Sequence, residues 1–161
     1  MKDSVDFRRA IVLARRFVSY GPRTELQVSR RLKKLYSQEV IAAVLAELVE
    51  TGEVDDEAFA LLWIANRNSS RPRSLYLIKK ELYDRGIGEQ IIEKVVQNID
   101  EEDAAYRAAS TFSRKLSPLR FSEFERKLWG YMRRRGFTND LIRTVTISVW
   151  KDRNPQNENF E

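Results

Sequence analysis

Cysteine and histidine are both missing from the 161 residues of this chain. Without them there is no disulfide, no thiolate or imidazole ligand for a metal, and no Ser-His or Cys-His pair to make a nucleophile. A catalyst built from this sequence would have to run on carboxylates, lysine or tyrosine alone. Glycine (6) and proline (4) are scarce, and most lie outside the periodic segments, which favours helix over sheet. No stretch reaches the roughly 18 to 20 apolar residues that span a bilayer. The opening "MKDSVDFRRAIVLARR" has a short apolar patch between arginines and lacks a signal peptide's long apolar core and cleavage site. The chain therefore reads as cytoplasmic, with no membrane partner, no metal and no cofactor.

What is present is charge. Charged residues make up 33% of the chain and apolar ones 42%, enough for a core in one domain or in a few small modules. The net charge of +5 is unevenly spread. Residues 1–50 hold ten basic and six acidic side chains, residues 51–100 seven and nine, and residues 101–150 ten and six. Two basic ends around a mildly acidic middle suit a polyanion or an acidic partner, and equally a helical protein that is merely basic.

The chain repeats itself at a spacing of 50 residues. "GPRTELQVSRRLKKLYSQEVIAAVLAELV" from Gly21 lies over "RPRSLYLIKKELYDRGIGEQIIEKVVQNI" from Arg71, matching Pro22 with Pro72, Thr24 with Ser74, Leu32 with Leu82 and Ile41 with Ile91. A second shift places Met132, Leu141, Val145 and Val149 in the same slots, and "RGIGEQII" over "RGFTNDLI". Each unit reads as three helices. In the second, a helix runs from about Glu57 to Arg67 and breaks in "NSSRPR". Ser74 opens the next, with Leu75, Ile78 and Leu82 on one face, and Gly86 takes the left-handed closing position. The third carries Ile91, Ile92, Val95, Val96 and Ile99. The expected division is 1–54, 55–100 and 101–151, three all-α repeats of about nine helices, with a loose tail over 152–161.

The acid pair in "GEVDDEAFALLWIANR" invites a metal or acid–base reading. Asp55 and Asp56 stand immediately before a helix, however, where a short carboxylate accepts from free N–H groups of the first turn, with Glu57 adding charge at the positive end. "EED" at 101–103 is expected to do the same for the third unit. Capping is the preferred reading over a carboxylate metal site on Asp55, Asp56 and Glu57.

Binding candidates are basic clusters at helical spacing. In the middle unit Lys79 and Lys80 lie between Tyr76 and Tyr83, a pattern that suits a nucleic-acid strand and also suits tyrosines at a core edge with snorkelling lysines. Arg71 and Arg73 open the same helix, as Arg23 does in the first unit. "ERKLWGYMRRRG" puts Arg126 and Lys127 on a face with Arg133 and Arg134, opposite Leu128 and Met132, and Arg135 completes a fan of about 200°. Arg30, Arg31, Lys33 and Lys34 repeat the pattern in the first unit. A solvated face and a binding face fit these clusters equally, although cations on the equivalent helix of all three units favour one continuous basic surface. Trp63, Trp129 and Trp150 read as packing residues.

"GEVDDEAFALLWIANR", "LIKKELYDRGIGEQIIEKVV" and "MRRRGFTNDLI" together resemble the RecX family of recombination regulators. The likeness spans most of the chain, weakest before residue 20 and after Lys151. The first unit departs from the family pattern, since Tyr36 stands after "RRLKKL" where a closing glycine is usual. The resemblance implies tandem three-helix units in an elongated, curved array, and a non-enzymatic protein that binds RecA nucleoprotein filaments; a monomer needs the fewest assumptions. It implies modulation, chiefly inhibition, of RecA ATP hydrolysis, strand exchange and filament growth in homologous recombination and the SOS response. Contact with single- or double-stranded DNA is a further expectation. The competing reading is a stand-alone helical protein that binds DNA through phosphates.

Overall fold

The computed structural model describes residues 4–70 (residue 70 through its backbone), 72–116 and 119–155. Among the described residues the chain forms nine α-helices and no strand: α1 (Val5–Ser19), α2 (Glu25–Leu32), α3 (Gln38–Glu50), α4 (Asp56–Ser70), α5 (Leu75–Asp84), α6 (Glu89–Val96), α7 (Glu101–Ser113), α8 (Phe121–Arg134) and α9 (Asn139–Arg153). None of them is long and apolar enough to cross a membrane.

Several helices begin where short polar side chains meet the orphan N–H groups of a first turn, whereas α8 and α9 start after Arg120 and Thr138 with no side-chain cap bond. Ser4 Oγ accepts from the Phe7 N–H at 3.1 Å. Thr24 forms a reciprocal capping box with Gln27. Asp55 Oδ1 accepts from the Ala58 N–H, and Asp100 Oδ1 from the Asp103 N–H, both at 2.9 Å. Glu101, Glu102 and Asp103 therefore lie inside α7, one step later than the sequence suggests, because Asp100 takes the cap. Each such cap is worth about 1 kcal/mol.

Two compact units divide the chain, residues 1–63 with 81–95, and residues 64–80 with 96–161. In the first, Phe7, Ala10, Ile11 and Ala14 of α1 follow the i, i+3, i+4, i+7 rule and meet Val28, Leu32, Ile41, Val44 and Leu48 in one cluster. In the second, Ala105, Ala108 and Ala109 leave room for close approach of α7 to Val145, Val149 and Trp150 of α9, with Phe124, Leu128 and Met132 of α8 completing the core. The middle helices α4 and α5 each contribute one half to either unit.

Two boundaries differ from the sequence reading. α4 continues through Asn68 and Ser69 to Ser70, with the Ser69 hydroxyl donating back to Asn66 O at 3.2 Å. α6 ends at Val96, with Ile99 in a turn whose N–H donates to Val96 O. Val49 also departs from its repeat slot, being 46% exposed beside a fully buried Leu48.

Candidate binding surface

The second helix of each three-helix group carries most of the candidate cations, so what fixes these helices fixes the surface. The N-terminus of α2 is held from two sides. Thr24 Oγ1 donates to Arg85 O at 2.7 Å, and the Glu25 N–H donates to Asp56 Oδ1 at 2.9 Å. The N-terminus of α5 repeats the arrangement 50 residues on, where the Ser74 N–H donates to Arg135 O at 2.9 Å and the Leu75 N–H to Glu101 Oε1 at 2.9 Å. In both, a glycine with positive φ sits against the helix start. Gly86 (φ +82) lies on Leu26, and Gly136 (φ +85) lies on Ser74 and Leu77. The Arg-Gly turn of one group thus closes on the helix start of the group before it.

Asp55 and Asp56 have separate tasks. Asp55 caps its own helix, while Asp56 turns to α2 and satisfies an orphan N–H there. The Asp56 pKa is raised, first by burial and then by the Asp55 carboxylate, against a lowering by the Glu25 N–H. That of Glu25 is raised by burial and by Asp56. Because both values are raised on folding, the protonated forms are favoured in the native state. The pair costs nothing at pH below the ordinary carboxylate range and costs stability as pH rises through the ordinary values to the raised ones. Asp56→Asn keeps an acceptor for the Glu25 N–H and removes the charge. We expect the Glu25 carboxyl in this variant to titrate nearer its ordinary value by NMR. An unmoved titration would show that Asp56 does not act on Glu25.

The candidate cations separate into three kinds. Arg126, Lys127, Arg133 and Arg134 project from α8 into solvent, opposite the buried Leu128 and Met132. None of the four has an ion-pair partner among the described residues, and the same holds for the exposed Arg30, Arg31, Lys33 and Lys34 at the end of α2. A second kind is held against rings. The Arg23 guanidinium lies 4.7 Å from the Phe17 centroid and that of Arg135 lies 4.3 Å from Tyr131, both partly buried. The third kind, Arg73, Lys79 and Lys80, already interacts with other groups of the protein. Tyr76 and Tyr83 beside them stand 69% and 72% exposed. Arg71 lies outside the described residues.

The tryptophans pack. Trp150 is buried against Phe121 and Phe124. Trp63 donates from Nε1 to Glu81 Oε2 at 2.7 Å, and the Arg85 guanidinium stacks on its ring at 3.5 Å. Asp56 and Glu101 escaped the sequence reading as cross-helix acceptors. The signal was there in the acid that directly follows each capping aspartate, Asp55-Asp56 and Asp100-Glu101.

Comparison with known proteins adds the following. The model of the second three-helix domain of RecX matches residues 55–96, and that of the third three-helix domain matches residues 100–146. Regulatory protein RecX of Thermobifida fusca is 30% identical over 84% of this chain and 75% of its own length. Regulatory protein RecX of Streptomyces coelicolor is 27% identical over 99% of this chain and 86% of its own. The crystal structure of RecX from Lactobacillus salivarius superposes with a TM-score of 0.73 at 19% identity, covering 89% of this chain and 96% of that one, a likeness of fold.

Proposed function

The chain belongs to the RecX family, whose members are named regulatory proteins, and from that membership we propose that it docks on RecA nucleoprotein filaments. There it lowers their ATP hydrolysis, strand exchange and growth, acting in homologous recombination and the SOS response without catalysis of its own. The observation that carries the reading is the set of exposed cations on α8, Arg126, Lys127, Arg133 and Arg134, with no ion-pair partner among the described residues. Cations already neutralised inside a protein must break one contact to make another. Unpaired ones carry their attraction outward undiminished and steer association with an anionic surface. The cations of α2 supply a second such set. The protein works as a monomer in the cytoplasm, built of repeats 1–54, 55–100 and 101–151 and the tail 152–161.

A second reading, a stand-alone DNA-binding protein, draws on the same unpaired cations, which would neutralise phosphates directly. Co-sedimentation separates the two. At about 0.15 M salt, where simple phosphate contacts are weakened, we expect the protein to pellet with RecA assembled on single-stranded DNA and to stay in solution with the same DNA alone. Equal recovery on bare DNA, lost as salt rises, would support the second reading instead.

A further inference from the structure

We infer that the start of α4 is a second docking surface, an apolar cavity with an acidic rim that holds a segment of the filament protein. That segment presents an apolar anchor with a lysine or arginine one helical turn away. The inference rests on the reading proposed above and says where protein, as distinct from DNA, is gripped. The cavity has a volume of about 370 Å³ and lies between the end of α1, the turn after α3 and the first turns of α4. Val18, Pro22, Phe59 and Leu62 give it apolar walls. Beside it Ala58, Leu61 and Leu62 follow the i, i+3, i+4 spacing, and all three are exposed, the leucines at 50% and 47%. Ala60, on the other side of the same turn, is fully buried. A helix that is apolar on both sides is ordinarily covered on both, and this stretch is covered on one.

The rim decides what covers the other. Among the described residues lining the cavity, Glu53 and Asp55 are acidic and Arg23 is basic. Arg23 lies on the Phe17 ring, and Glu53 pairs with Arg15 at 2.9 Å. Asp55 caps α4 through Oδ1 and has no ion-pair partner among the described residues, so the unmatched charge is negative. A nucleic-acid strand would bring phosphates against it. A second copy docking by the same face would bring like charges together across a two-fold axis. The apolar area continues past the cavity to Leu61, which suits a length of polypeptide better than a small molecule. A segment with an apolar anchor and a nearby cation satisfies both the walls and Asp55. The two surfaces then divide the work. The cations of α8 speed encounter and weaken with salt, whereas apolar burial at α4 slows release and does not.

The test follows binding and release of the whole protein on immobilised RecA filaments by interferometry, at about 0.05 and 0.2 M salt. Leu62→Gln, which leaves the charge unchanged, is expected to weaken binding about 30-fold, chiefly through faster release, with the parent's salt dependence. Leu62→Met keeps an apolar anchor contact and should bind as the parent does. Asp55→Asn still caps α4 and should weaken binding about fivefold. Parent-like binding by Leu62→Gln overturns the inference and leaves the filament reading standing, whereas a parent that ignores filaments overturns both. An equal loss of bare-DNA binding in Leu62→Gln would assign the face to nucleic acid and overturn the inference. So would a parent dimer that Leu62→Gln dissociates, which assigns it to a second copy. Because Leu62 is about half exposed, Leu62→Gln is expected to melt like the parent. If it does not, Ala58→Gln narrows the cavity from an exposed position, and parent-like binding of that variant overturns the inference in its place.

Discussion

Gly86→Ala and Gly136→Ala each lower the free energy of unfolding by about 3 kcal/mol. Two costs combine. The φ values of +82 and +85 lie in the left-handed region, where a side chain adds about 1 kcal/mol. Space adds the rest. A Cβ at Gly86 would stand 2.9 Å from Leu26 Cγ and one at Gly136 2.6 Å from Leu77 Cγ, so α2 or α5 must move from its seat, at about 1 to 3 kcal/mol. Gly52 supplies the control, because its φ is also positive, at +71, while a Cβ there meets nothing within 4 Å. Gly52→Ala should therefore cost about 1 kcal/mol, from conformation alone. Urea unfolding midpoints of the three variants give the comparison. Equal midpoints would mean that the Arg-Gly turns are ordinary helix ends and do not close on the preceding group.

Neutralising Arg126, Lys127, Arg133 and Arg134 together to Ala is expected to weaken filament binding by roughly 100-fold, with melting temperature little changed. Each exposed charge contact is worth up to about 1 kcal/mol, and about 1.4 kcal/mol corresponds to a factor of ten. The four side chains are exposed and form no ion pairs among the described residues, so their loss leaves the buried Leu128 and Met132 stripe untouched. Reversal of Lys79 and Lys80 should behave differently. Those side chains already interact within the protein, so the double Glu variant loses stability as well as any binding it provides. Binding isotherms at two salt concentrations, each beside a thermal melt, distinguish the two patterns. A quadruple α8 variant that binds as tightly as the parent would reduce that face to a solvated one.

Much of the fold was legible in the sequence because it is written in local rules. The face of α5 carrying Ile78 and Leu82 follows from helical spacing, and both residues are fully buried. The closing role of Gly86 follows from the Arg-Gly pattern, and its φ is +82. What was not legible depends on neighbours distant in the chain. Asp56 looks like its neighbour Asp55, yet it accepts from the N–H of Glu25, 31 residues away. Arg23 looks like the other surface arginines, and only the turn between α1 and α2 brings Phe17 beneath it, whereas Arg135 over Tyr131 is a pair four residues apart at the end of α8 that helical spacing already allows. The aromatic and basic face of Leu13, Arg16, Phe17 and Tyr20 had its signal in helical spacing, but the fifth side chain that lines one cavity with them, Arg31, lies on another helix.

The central claim, regulation at the level of a filament, is tested most directly by RecA's single-stranded-DNA-dependent ATP hydrolysis with this protein titrated in. A protein that acts on filaments lowers the rate well before one copy is present per RecA monomer, and the quadruple α8 variant shifts that fall to higher concentration. An unchanged rate at every ratio, alongside tight binding to bare DNA, would contradict the account and leave the unpaired cations to DNA alone.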